Sequence, residues 1–228
     1  MIVPHIPKKF QLVVVCVAVF ALLQLSMPQF IYQRDVMMSE PWRWWTAQWV
    51  HVGWRHYLLN MMALICLPFI FPQSTCLKLL SALLIISPMV SLGLYCFFPI
   101  VYAYAGLSGV LHGLYAWAAL MVLCPNHALL THLSVNDQQK NSQSVNIQSV
   151  SSMRHLTPLI MSEKKFALFV LLAVIVKVMI EKKIGHTDTE RLIGAHVLIQ
   201  AHQIGLIAGI IYFILLYGWS RFKTAGFS

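Results

Sequence analysis

Residues 104–124 read "YAGLSGVLHGLYAWAALMVLC" and contain no Asp, Glu, Lys or Arg. From Leu107 onward the run is apolar enough to lie in hydrocarbon, yet it opens on a serine between glycines, Gly106-Leu107-Ser108-Gly109, and carries His112 one turn later. Polar side chains inside a membrane are costly, so each one asks for a reason. Ser108 has two readings. As the first residue of a helix it can act as an N-cap, the commoner use of serine there. It can also be a nucleophile beside backbone N–H groups at the positive end of the helix, where a developing oxyanion is favoured. The second reading needs a base from elsewhere in the chain.

The wider composition sets the solvent. Of the 228 residues 59% are hydrophobic and only 10% charged, against about 25% charged in an average soluble domain. No soluble fold of this size hides that much apolar surface, and lipid has to take its place. The net charge of +9 forms no basic stripe with interleaved aromatics, which excludes a nucleic-acid surface. Cys16, Cys66, Cys76, Cys96 and Cys124 are odd in number and have no C-x-x-C pair, so they read as small apolar residues. No metal site and no cofactor is expected. "SMPQFIYQRD" after Leu25 lacks a small-residue cleavage pattern, and a retained first helix is expected.

Six apolar runs, about 10–32, 55–72, 78–98, 107–124, 165–181 and 201–219, predict an all-α, six-transmembrane-helix bundle in one domain, 1–228. The second, fourth and fifth are short for about 30 Å of hydrocarbon, and helix ends at that depth need a water-filled cavity. With the N-terminus inside, nine Lys and Arg fall in cytoplasmic segments and six in outer ones. Residues 33–54 hold Trp42, Trp44, Trp45 and Trp49, which suit an interfacial first loop. Residues 125–164, rich in Ser, Asn and Gln, read as a flexible cytoplasmic loop between the fourth and fifth helices.

In this topology three polar groups gather toward the outer leaflet. "HVGWRHYLLN" supplies His51, His56 and Asn60, the last two four apart on one helix face. Interhelical hydrogen bonding alone would account for them. Ser108 is the second group. "AHQIGLIAG" is the third, with His202 followed by Gly205 and Gly209, a spacing that lets another helix approach backbone to backbone. Gly109 and Gly113 offer the matching face, and if the faces meet, His202 reaches Ser108. His112 and His196 compete as bases, but His112 sits near a helix N-terminus and His196 has no glycine pair behind it. With no Asp or Glu at this depth, the pair is expected to be a dyad. Lys177 is expected to snorkel from the fifth span with Glu181 one turn on.

The residues "PWRWW", "HVGWRHYLLN", "GLSG" and "AHQIGLIAG", in that order, resemble the rhomboid family of intramembrane serine proteases. The resemblance implies that family's six-helix core, with Ser108 as nucleophile and His202 as base. It makes His56 and Asn60 oxyanion donors with the Ser108 amide, and His51, Gly106 and Leu107 supporting residues. It gives Arg43 a structural role. "GLSGVLHGL" is similar, more narrowly, to rhombosortases. Their implied substrates are membrane-anchored exported proteins with a C-terminal tail: a Gly-Gly-containing stretch, one transmembrane helix and basic residues. The implied place is the bacterial inner (cytoplasmic) membrane, with both termini cytoplasmic and the site open to the periplasmic side. A general rhomboid protease of broad transmembrane substrates, a non-catalytic binder of transmembrane helices and a histidine-based haem or ion carrier are the alternatives. The sequence leaves oligomeric state, and release against transfer of the product to an amine, open.

Overall fold

The stretch that opens at Leu107 becomes a helix, Ser108–Leu123, and it lies at the centre of the molecule. The computed structural model describes residues 6–125, 148–185, 190, 194 and 196–225. Among them are seven α-helices: α1 (Lys8–Gln24), α2 (Arg43–Thr46), α3 (Trp54–Ile70), α4 (Cys76–Phe97), α5 (Ser108–Leu123), α6 (Gln148–Ile184) and α7 (Ile199–Ala225). Gly109, Val110, Leu111, Gly113, Leu114 and Ala116 to Ala119 of α5 are all buried, so nearly its whole circumference faces protein. Trp117 of α5 and Ile86 and Leu94 of α4 belong to the same core.

The outer surface is apolar. Leu58, Met62 and Phe69 of α3, Leu92 of α4, Phe169 and Met179 of α6, and Ile207, Ile214 and Leu215 of α7 are exposed. Among the described residues two helices, Cys76–Phe97 and Ile199–Trp219, are long and apolar enough to cross a membrane, and Ser108–Leu123 is apolar but shorter.

Two expected elements differ. The first apolar run, 10–32, is helical only to Gln24: Ser26 and Pro28 lead into a 3-10 turn at Met27–Gln29. Proline fixes φ and removes a donor, which suits the first turn of a new helix and not the inside of an old one. The loop expected over 125–164 is helical from Gln148, continuous with the fifth apolar run. Extending a helix by one residue gains a hydrogen bond at each step, whereas starting one does not, so α6 grows back into polar sequence. Residues 126–147 lie outside the described residues.

The first loop, 33–54, is anchored along α4. Trp45 Nε1 donates to Leu84 O at 2.9 Å and Gln48 Nε2 to Ser91 Oγ at 3.0 Å, while Ser91 Oγ donates to Trp44 O at 2.9 Å. Buried Arg43 closes the loop, donating to Glu40 Oε2 (2.5 Å), Pro28 O (3.0 Å) and Ile31 O (2.7 Å).

Candidate active site

The segment between α4 and α5 leads into Ser108, the first residue of α5, and is fixed on three sides. Tyr32 and Gln33 pair antiparallel with Tyr104 and Ala103 in a two-residue strand. The Gly106 N–H donates to Ala47 O at 3.1 Å, and the Tyr104 hydroxyl donates to Gly106 O at 2.6 Å. Burial pushes the Tyr104 hydroxyl up to about 12, so it keeps its proton at neutral pH. Gly106 has φ +147, and a Cβ there would meet His56 Cε1 at 2.7 Å. Both facts require glycine. Leu107, not Ser108, occupies the N-cap position of α5, and no side chain caps it. The Ser108 Oγ is instead 2.9 Å from His202 Nε2.

His202 lies one turn into α7, and the seam between α5 and α7 sets its place. A Cβ on Gly109 would lie 2.7 Å from Ala201 O, and one on Gly113 would lie 2.5 Å from Gly205 O. Side chains on Gly205 and Gly209 would overlap the backbones of Gly109 and Gly113 outright. The two small faces therefore touch main chain to main chain, as glycine pairs at this spacing allow.

A cavity of about 410 Å³ opens beside the pair, lined by Ser108 and His202, by His56 and Asn60 of α3, and by apolar residues of α6 including Phe169 and Val170. Asn60 Nδ2 and His56 Nδ1 are buried without a hydrogen-bond partner among the described residues. Buried polar atoms almost always find one, so two left without one on residues that share a cavity with Ser108 are unusual. His51 stands behind them, edge-on to His56 with ring centroids 5.1 Å apart, and its Nε2 accepts from the Leu107 N–H at 3.4 Å. Its own peptide is held by Gln24, whose Oε1 accepts from the His51 N–H at 2.7 Å and whose Nε2 donates to His51 O at 2.6 Å. Burial, with help from neighbouring His56, lowers His51 to about 3, which keeps it a neutral acceptor.

His112 stacks on His202, centroids 4.2 Å apart and planes 20° apart, while its Nδ1 is 2.6 Å from Ser108 O. It faces the serine's carbonyl and not its hydroxyl. His196 lies in the α6–α7 connection with its side chain largely exposed. The expectation of a pair with no acid is corrected: Glu181 Oε2 lies 2.7 Å from His202 Nδ1, and both residues are buried. The signal was in the sequence. Glu181 ends the fifth apolar run and His202 begins the sixth, so both sit at the same end of neighbouring helices. The Lys177 four residues earlier offered a sufficient local partner and hid the longer-range one.

His112, Glu181 and His202 bring donor atoms within 4.8 Å of one another, close enough to hold a metal ion. Those atoms already have partners. Lys177 Nζ donates to Glu181 Oε1 and lies 3.2 Å from His112 Nε2, so an ammonium fills the place of a cation.

Residues 38–139 match the Rhomboid domain. The match covers a little under half of the chain and takes in α2 to α5, with His51, His56, Asn60 and Ser108. His202 and Glu181 lie beyond it. No curated protein matches the chain. The match and the apolar helices suggest a membrane protein, and members of the matched family are generally intramembrane serine proteases.

Proposed function

We propose that the chain is an intramembrane serine endopeptidase with Ser108 as nucleophile and His202 as general base. The observation that carries this reading is the 2.9 Å contact of Ser108 Oγ with His202 Nε2 on a cavity lined also by His56 and Asn60. Ser108 Oγ attacks the scissile carbonyl carbon while His202 Nε2 takes its proton. The carbonyl oxygen becomes an oxyanion that accepts from Asn60 Nδ2, His56 and the Ser108 amide. The C–N bond then breaks, and His202 gives the proton to the leaving amine. Water, deprotonated by the same imidazole, releases the acyl group as a carboxylic acid and restores the serine.

The six-span bundle, with both termini cytoplasmic and the cavity toward the outer face, is the topology this chemistry would use. A bond in a lipid-embedded helix is hydrogen-bonded and shielded, and it must unwind before attack. Glycine lowers that cost by roughly 1 kcal/mol per residue relative to alanine. That suits the narrower, rhombosortase-like substrates that we propose on the likeness of "GLSGVLHGL": exported proteins held by a C-terminal helix behind a Gly-Gly-containing stretch, cleaved at the bacterial inner membrane.

A serine-directed fluorophosphonate tests the chemistry. The folded protein is expected to take the label, and Ser108→Ala to lose it. An unlabelled wild type would reject the hydrolase reading. Comparing secreted proteins of wild-type and Ser108→Ala cells tests the substrates: the variant is expected to retain uncleaved C-terminal tails of the Gly-Gly kind, and an unchanged set would reject the narrower assignment.

A further inference from the structure

Resting on that hydrolase reading, we propose that Glu181 completes a Ser108–His202–Glu181 triad. It acts as a positioning residue that fixes His202 in the tautomer able to take the serine proton. Ionised carboxylates only accept hydrogen bonds. With Oε2 at 2.7 Å from Nδ1, the imidazole must carry its proton on Nδ1. The lone pair on Nε2 then faces Ser108 Oγ at 2.9 Å. Left alone, a neutral imidazole could as well protonate Nε2, and in that form it has no lone pair for the serine proton.

The surroundings of Glu181 serve the same end. Its second oxygen is bound by the Lys177 ammonium, one helical turn back on α6. Lys177 keeps the acid ionised and stops the carboxylate from turning away. The same ammonium reaches His112 Nε2 at 3.2 Å, which leaves His112 Nδ1–H to donate to Ser108 O at 2.6 Å. Every proton of the network is thereby assigned. His112, stacked at 4.2 Å, holds the plane of the base, and Glu181 holds its rotation within that plane. A merely structural ion pair between Lys177 and Glu181 would need neither the second oxygen nor a buried imidazole on it.

The geometry makes an unusual demand on a Gln at 181. Its carbonyl oxygen would have to face the ammonium, and its NH2 would face His202 Nδ1. That amide donates, forces the proton onto Nε2 and disarms the base. Removing the ammonium frees the amide to turn over and offer its oxygen to Nδ1–H. The test is the rate at which a fluorophosphonate labels Ser108 in the full-length, detergent-solubilised chain, with folding followed by melting and size exclusion. Glu181→Gln is expected to label roughly 100-fold slower than wild type, since the wrong tautomer disables a base of this kind. Glu181→Gln/Lys177→Met is expected to recover about tenfold over the single variant, where a lost structural ion pair would recover nothing. Glu181→Gln labelling within about threefold of wild type, or a double variant no faster than the single one, overturns the triad. A second reading needs no variant at position 181: 15N spectra of histidine-labelled protein, with His202 assigned by its loss in His202→Asn. A proton on Nδ1 supports the proposal, and a proton on Nε2 overturns it. A wild-type chain that takes no label fails the hydrolase reading itself, whereas labelling unaffected at position 181 fails only the triad.

Discussion

Asn60 lines the cavity beside Ser108 with its Nδ2 buried and unpartnered, and a donor left so costs about 1–3 kcal/mol. Asn60→Leu removes that cost at similar volume. The expected outcome is an unchanged or higher melting temperature with peptide cleavage slowed about 100-fold, as for loss of one oxyanion donor. A variant that loses stability and activity together would make Asn60 a packing residue. His51 predicts a pH dependence. Its folded value near 3 lies below the ordinary 6.5, so between the two the unfolded chain binds more protons than the folded one. Its contribution to stability is full above about 6.5 and is lost as pH falls toward 3. Melting temperature should therefore drop on acidification over that window, and His51→Gln should flatten the slope. Ser108, His202, His56 and Asn60 could be read from sequence because each is a polar side chain in an apolar run, an expense with few explanations. Glu181 carried a signal too, at the end of the fifth apolar run, but a lysine at helical spacing already explained it.

At the level of the helix, the decisive contact is the seam of Gly109 and Gly113 on α5 with Gly205 and Gly209 on α7. Gly205→Val would drive a branched side chain into a carbonyl, and backbone cannot swing aside as a side chain can. It is expected to cost at least about 3 kcal/mol and to abolish Ser108 labelling. Gly218→Ala, where a Cβ would meet nothing within 4 Å, is the control and should leave both readouts in place. Glycine spacing made this pairing legible, since few arrangements but close helix approach repay glycine inside a helix. Helix limits were less so. The α1 helix ends at Gln24, before the apolar run does, because Pro28 breaks it. The α6 helix starts at Gln148, in sequence with a loop's composition, because growth from the apolar segment overrides local preference. The tie of the first loop to α4 through Trp45, Gln48 and Ser91 has no sequence signal: each bond spans some forty residues.

Across the whole molecule, hydrophobic composition announced the solvent, and the exposed leucines, isoleucines and phenylalanines agree with it. Composition could not give the order of packing, in which α5 is enclosed by its neighbours while α3, α6 and α7 present apolar side chains outward. The short central helix follows from its role: at 16 residues it spans about 24 Å, so its first residue stops short of a full hydrocarbon width and borders a cavity. Elsewhere in the bundle, the distance between two helices depends on which hydrocarbon side chains lie between them, and it shifts as those are exchanged. At Gly109, Gly113, Gly205 and Gly209 the α5 and α7 backbones meet directly, and the dimensions of peptide groups are set by covalent bonding. The gauge of the Ser108–His202 pair is thus set at that seam by backbone and not by the bulk of hydrocarbon side chains.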